Sequence, residues 1–178
     1  MTTYYARLGS GEPILVLGSG EARDSLGSFL LVPLAARFRV IAPEPLVEDG
    51  KATLMLPGSA GAPAFSSWLR DFLDGLGVEQ VSIVAEGKLA IPSLCFTLSD
   101  PGRVERLVLL YPDAPGPLPV ESVIGEVLHP SETPLLVLRV GGEAGDPSSP
   151  LGPQLCEVVI QFLSGEAEGI PQAGRGAA

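Results

Sequence analysis

The segment Gln80–Ala90, QVSIVAEGKLA, decides the fold of this chain. It begins with the apolar run VSIVA, which is typical of a strand covered on both faces of a parallel sheet. Gly87 then interrupts the run and predicts a sharp turn, because glycine adopts positive φ at little cost. An apolar segment of helical period follows. The segment therefore predicts a buried strand that leads through a tight turn into a helix.

Similar apolar runs recur along the chain and alternate with longer segments of helical period. Strands separated by helices indicate βαβ units with right-handed crossovers. We predict strands at Tyr4–Leu8, Pro13–Leu17, Phe38–Ala42, Gln80–Val84, Arg106–Tyr111 and Pro134–Val140. We predict helices at Ser25–Ala36, Ala64–Gly75, Ile91–Ser99, Val120–Leu128 and Pro153–Leu163. The predicted fold class is α/β, a three-layer αβα sandwich with a mostly parallel sheet of about six strands.

The length and composition fit one globular domain. The chain has 178 residues, of which 46% are hydrophobic and 18% charged, and this is enough to build a sizeable core. We expect a single domain over residues 1–163 and a flexible tail over residues 164–178, which have little to bury. Glycine and proline gather in the connections, and we predict that Glu44–Pro63 is one long loop.

Charge and residue types argue against several classes of partner. The formal charge of −10 disfavours nucleic acid and anionic membranes, since both call for a basic surface. No apolar run approaches the length of a membrane-spanning helix, and the first residues lack a signal-peptide pattern, so we expect a cytoplasmic location. Cys95 and Cys156 fall in apolar helical patterns and are predicted to be buried free thiols. With one histidine, His129, and no paired-ligand spacing, we expect no metal site and no cofactor.

The ordered set of segments resembles the α/β-hydrolase superfamily up to Leu163. Arg7–Leu17 is similar to that family's second and third strands, and Phe38–Pro43 is similar to its fourth. Trp68–Val81 resembles the helix that leads into the central strand, and Asp100–Leu110 resembles the turn and strand that follow it. The resemblance implies a minimal α/β-hydrolase fold without a cap domain. We expect the family's first strand, eighth strand and histidine loop to be absent.

The resemblance also implies where the chemistry would lie. In this superfamily a serine within a G-x-S-x-G turn attacks the substrate, supported by a histidine and an acid. Gly87 stands at the serine position and offers no nucleophile. Ala85 is small, as the turn requires, but Leu89 stands where the family favours glycine, and Pro92 predicts a helix that starts late. His129 precedes a strand and is expected at the opposite edge of the sheet, so no ordinary general base is expected.

Acidic residues near the carboxyl ends of the strands are the remaining catalytic candidates. Asp146, or Glu143, follows the last predicted strand, where the family's acid typically lies. Either is otherwise a plain loop residue. Glu86 lies beside the turn, where burial can raise the pKa of a carboxyl group, and Asp113 is a second acid near it. Solvated acids of an acidic protein are the alternative interpretation.

The predicted binding residues surround the same turn. Gly18, Ser19 and Gly20 follow the second predicted strand, and their backbone N–H groups can face an anion. Glu86, Gly87 and Lys88 complete the set. A small-molecule ligand above Gly87 is therefore the expected occupant.

Three readings of function remain open. The first is a catalytically degenerate protein that binds a ligand or partner, with a homodimer or complex expected because missing edge strands and a missing cap leave apolar surface. The second is a hydrolase of the same descent that uses non-standard residues such as Glu86 acting on water. The third is a stable structural remnant with no ligand.

Overall fold

Strands and helices alternate along the described part of the chain. The computed structural model describes residues 5–18, 26–43, 46–48, 51–53, 61–112, 133–140 and 151–166. The strands are β1 (Tyr5–Leu8), β2 (Pro13–Leu17), β3 (Arg39–Pro43), β4 (Leu46–Glu48), β5 (Lys51–Thr53), β6 (Val81–Glu86), β7 (Val104–Pro112) and β8 (Leu135–Val140). The helices are α1 (Leu26–Ala35), α2 (Gly61–Gly75), α3 (Ala90–Ser99) and α4 (Leu151–Leu163), with short 3-10 turns at Gly87–Leu89 and Pro101–Arg103.

Six strands form one mixed sheet in the order β1-β3-β2-β6-β7-β8. The neighbours from β3 through β8 in this order run parallel to one another, and β1 runs antiparallel to β3. β4 and β5 pair with each other in a separate antiparallel ribbon. The predicted fold class, with its mostly parallel sheet of about six strands, is confirmed.

Helices cover both faces of the sheet and complete the three layers. On one face, α2 and α3 bury apolar side chains against β6 and β7; the buried set includes Leu69, Leu73, Ile83, Leu94, Leu107 and Leu109. On the other face, α1 and α4 do the same; that set includes Leu30, Leu34, Val84, Val108, Val159 and Leu163. Adjacent strand residues fall in opposite clusters because side chains alternate across a strand.

Four aromatic rings join α2 to the edge strand β1. The Trp68 ring stacks on Phe72 with 5.4 Å between ring centroids and an interplanar angle of 11°. Phe65 packs against Trp68 on one side at 5.7 Å. Phe72 meets the ring of Tyr5 edge-on at 5.7 Å. These contacts follow from the spacing of aromatic residues on one face of an amphipathic helix.

Charged contacts fasten α2 to the turn between α3 and β7. Arg70 bonds to Asp100. Arg103 donates from Nη1 to Oδ1 of Asp74 at 2.8 Å and from Nη2 to the carbonyl oxygen of Val78 at 3.0 Å. Because Arg103 bridges the end of α2 and Val78, which lies three residues before β6, it fixes the approach of the chain to the central strand.

The central strand is longer than its predicted range. β6 continues past the predicted end at Val84 to Glu86, because Ala85 and Glu86 keep their pairing with Leu109 and Leu110 of β7. A prediction from the apolar pattern placed the end of the strand too early. Glu86 interrupts the apolar run in the sequence, but its backbone still pairs with the neighbouring strand.

The prediction of one long loop over Glu44–Pro63 is wrong in two places. The ribbon of β4 and β5 lies inside this range, and α2 begins at Gly61. In sequence the two strands are separated by Asp49-Gly50, which is a strong hairpin signal. The predicted helix Val120–Leu128 and most of the predicted tail lie outside the described residues, so both stay predictions.

Candidate functional site

Two neighbouring strands end together at the candidate site. β2 and β6 are parallel, and their last paired residues are Leu17 and Ala85. Gly18 and Glu86 are therefore the next positions along the two strands, at the carboxyl edge of the sheet. In open α/β sheets this is the edge at which ligands bind. The structure thus brings Gly18 close to the turn that contains Glu86, Gly87 and Lys88.

Gly87 has the backbone geometry that the sequence predicts. Its φ is +57°, in the left-handed region that favours glycine. No atom of the described residues lies within 4 Å of the position that a Cβ on Gly87 would take. The turn is therefore strained for other residues, and the described part of the chain leaves space where a side chain would project.

The residues after the turn pack well. Leu89 is buried and belongs to the apolar cluster beneath α2 and α3. The 3-10 turn passes into α3 at Ala90, so Pro92 is the third residue of this helix. A proline there removes no helical hydrogen bond, because the first N–H groups of a helix have no partner within it. Pro92 thus lies in the first turn of the helix, as predicted, and the helix begins one residue before its predicted start at Ile91.

Glu86 is buried, and only 9% of its surface is exposed. It alternates with Ala85 along β6, so its side chain leaves the sheet on the same face as Val84, where α1 and α4 pack. It already has an interaction partner. Lys88, two residues on, is exposed. Neither Glu86 nor Leu89 makes a side-chain capping bond to the amides that begin the turn or the helix.

Sequence reasoning missed Tyr111 as a residue of this edge. Tyr111 directly follows Leu110, the partner of Glu86, so it lies beside the turn at Gly87. Only 6% of it is exposed, and its hydroxyl is buried without a hydrogen-bond partner among the described residues. Burial raises the pKa of the Tyr111 phenol above its usual value, so it remains a neutral donor. The sequence feature that could have indicated this residue is a tyrosine at the end of an otherwise aliphatic run.

Several predicted site residues fall on parts of the chain that the structure does not describe. Nothing in the described residues tests these assignments, and they stay predictions. These residues are Ser19, Gly20, Asp113, His129, Glu143 and Asp146.

The two cysteines are free, with Cys156 buried and Cys95 half-buried. Burial raises the pKa of the Cys156 thiol. Within the described ranges, no cluster of three or more histidine, cysteine or acidic side chains is placed to hold a metal ion. None of the helices described has the length and apolar character needed to cross a bilayer.

Comparison with solved structures places this architecture among known folds. The epoxide hydrolase VrEH1 from Vigna radiata superimposes with a TM-score of 0.51 at 23% identity, over 69% of this chain and 42% of that one. The chain has the α/β-hydrolase fold. A mutant epoxide hydrolase from Vigna radiata matches similarly, with a TM-score of 0.50 and 24% identity over 70% of this chain and 41% of that one. The chain thus spans less than half the length of these α/β-hydrolase structures.

No protein-family model matches the chain, and no curated protein matches it. The likeness to the two hydrolase structures is therefore one of fold, and the function of this α/β-hydrolase-fold chain has to be argued from its own residues.

Proposed function

We propose that this chain is a catalytically degenerate α/β-hydrolase-fold protein that binds a small molecule at the carboxyl edge of its sheet. The observation that carries the proposal is Gly87. It follows the central strand β6 at the turn where hydrolases of this fold carry their serine. With φ of +57° and no described atom within 4 Å of the Cβ position, it is uncrowded by the described residues and supplies no reactive group.

The small number of groups that could take part in acyl transfer supports the same proposal. The chain has one histidine, and acyl transfer on this fold needs an imidazole in contact with the nucleophile. The groups at the turn are instead backbone amides without side-chain caps, a buried carboxyl group at Glu86 and an exposed cation at Lys88. Such a set can hold and orient a molecule, but it has no nucleophile to form a covalent intermediate.

Ester hydrolysis by the wild-type chain and Gly87→Ser tests the loss of catalysis. We expect no turnover of 4-nitrophenyl acetate or butyrate above the buffer rate by either protein. We also expect no acylated serine by mass spectrometry, because we expect no histidine beside this turn to take the proton of the hydroxyl. Gly77→Ser is the matched control, since Gly77 also has positive φ and open space but lies before β6. Saturable hydrolysis by the wild-type chain would overturn the proposal.

A hydrolase that uses Glu86 to activate water is the second candidate. The observation in its favour is the burial of Glu86 at the turn, because a buried carboxyl group is a common general base. Its position on the α1 and α4 face of β6 and its existing partner count against it. If any turnover of esters, lactones or epoxides is found, this candidate requires that Glu86→Gln abolish it and that Glu79→Gln, an exposed acid before β6, leave it intact.

We further propose that a second copy of the chain covers the outer face of α1. The sequence of this helix, LGSFLLVPLA, has Ser28 as its one polar residue, and such a composition is typical of a helix that is covered all round. Val32 is nevertheless 76% exposed. Phe29 and Pro33 of α1 also line a groove of about 500 Å³ against Cys156 and Ile160 of α4. Light scattering over a range of protein concentrations tests this: a monomer at every concentration would contradict it.

A further inference from the structure

The hydroxyl group of Tyr111 is buried and has no hydrogen-bond partner among the described residues. Buried tyrosines normally pair their hydroxyl with another polar group, because burial without a hydrogen bond is unfavourable. Tyr111 lies in the apolar cluster beneath α2 and α3 together with Leu89 and Ala90. In that setting a phenylalanine would fill the same volume and leave no polar atom unpaired. A tyrosine at this position therefore needs a partner that is absent from the described residues.

The place of Tyr111 indicates where that partner comes from. Leu110 pairs with Glu86, so the next residues along the two chains are Tyr111 and Gly87, and β7 runs beside the 3-10 turn. No described atom lies within 4 Å of the place where a Gly87 side chain would project. Among the described residues, a buried hydroxyl without a partner thus lies beside an uncrowded turn at the carboxyl edge of the sheet.

We propose that Tyr111 is a ligand-binding residue, whose hydroxyl donates a hydrogen bond to an acceptor oxygen of a small apolar molecule bound over Gly87. This inference rests on the proposed function and names the chemical class of its ligand. Apart from Glu86, whose side chain leaves the sheet on the opposite face, the groups at the turn are donors: the phenol of Tyr111, the amides of the 3-10 turn that no side chain caps and the ammonium of Lys88. A carbonyl or carboxylate oxygen fits this set, whereas an ammonium group does not.

The apolar character of the ligand follows from the surroundings of the phenol. The ring of Tyr111 belongs to a cluster whose buried members are otherwise aliphatic or aromatic. A ligand that reaches the hydroxyl must therefore present its oxygen from an apolar body. The hydroxyl is buried, and a hydrogen bond formed in such surroundings is stronger than one formed in water.

Titration with three probes of equal length tests the proposal. The wild-type chain and Tyr111→Phe are prepared with isotope-labelled backbone amides. Hexanamide, hexanoate and hexylammonium are then added separately to each protein. Binding is followed by the NMR signals of the Gly87 and Lys88 amides. We expect hexanamide or hexanoate, or both, to bind the wild-type chain and hexylammonium not to bind. We expect Tyr111→Phe to weaken binding of the acceptor probes by about three- to tenfold, the loss of one hydrogen bond. Tyr5→Phe, which changes the phenol on the edge strand, should bind like the wild type.

Each other result would overturn a definite part of the reasoning. Equal binding by the wild-type chain and Tyr111→Phe leaves the proposed function standing and removes Tyr111 from the site. Binding of hexylammonium alone contradicts the donor character of the turn. No binding of any probe to the wild-type chain contradicts both proposals. A melting temperature of Tyr111→Phe well below that of the wild type would show that the hydroxyl has a structural partner, which also sinks the inference.

Discussion

Alanine substitutions at three glycines with similar φ values can measure how much space surrounds the turn at Gly87. Gly9, Gly77 and Gly87 have φ of +68°, +64° and +57°. An alanine at any of them incurs the strain of the left-handed region, about 1–2 kcal/mol. The three sites share this strain and differ in what the new methyl group meets, so the difference between their free energies of unfolding reports mainly the steric term.

The steric term is large at one site and absent at the other two. A Cβ on Gly9 would lie 2.2 Å from the carbonyl oxygen of Phe38 and 2.3 Å from that of Ala35, whereas none of the described atoms lies within 4 Å of a Cβ on Gly77 or Gly87. Backbone oxygens move only with the chain, so Gly9→Ala should add overpacking to the strain and lose about 3–5 kcal/mol in all. Gly77→Ala and Gly87→Ala should each lose about 1–2 kcal/mol.

Urea unfolding followed by far-UV circular dichroism measures all three variants with a common slope. We expect Gly87→Ala to match Gly77→Ala. A loss at Gly87 as large as that at Gly9 would mean that other atoms crowd the turn, and the ligand site proposed above it would have no room. Equal losses at all three positions would show that conformational strain alone governs these turns.

Three further predictions concern the rest of the fold. Arg103→Ala should lower the free energy of unfolding, measured in urea, by about 1–2 kcal/mol because it removes two hydrogen bonds. Asp74→Asn should lower it by less than about 1 kcal/mol because the ion pair is partly exposed. Val32→Glu should change stability by less than about 0.5 kcal/mol and should shift the proposed dimer to monomer in light scattering. Stability should fall as the pH rises past the ordinary tyrosine pKa of 10.0, because the unfolded chain releases the Tyr111 proton while the folded chain retains it up to its raised pKa; this fall should be shallower in Tyr111→Phe.

The outcomes that would contradict these predictions are equally definite. An Asp74→Asn loss equal to that of Arg103→Ala would show that the bond to the Val78 carbonyl contributes nothing. A dimer unaffected by Val32→Glu would move the interface away from α1. A pH dependence above pH 10.0 that is identical in the wild type and Tyr111→Phe would mean that the phenol titrates alike in the folded and unfolded chains.

The sequence predicted the parallel core of the fold well, because buried parallel strands such as β6 and β7 are nearly continuous apolar runs. The same logic predicted positive φ at Gly87, since a turn between a buried strand and a helix calls for it. The prediction was weaker where pairing rather than hydrophobicity decides structure. The β4 and β5 ribbon contains charged residues, and Glu86 stays in its strand through backbone bonds to β7.

Tyr111 shows why the candidate site was only half visible in the sequence. The hydroxyl of a tyrosine at the end of an aliphatic run can face solvent, form a hydrogen bond within the protein or be buried without a partner. The position of Tyr111 relative to Gly87 depends on the register between β7 and β6. That register depends on which strands become neighbours in the sheet. Long-range pairing is not encoded by the residues near Tyr111, so only the structure relates it to Gly87.

The aromatic row on α2 gives the chain a built-in optical reporter. Trp68 is the single tryptophan, and it stacks on Phe72, which in turn touches Tyr5 of the edge strand. Its fluorescence therefore monitors one seam of the molecule, where the amino-terminal strand meets the second helix. Release of that strand alone should change the emission of Trp68 before the circular dichroism of the helices changes, so the two signals together separate local opening of this seam from global unfolding.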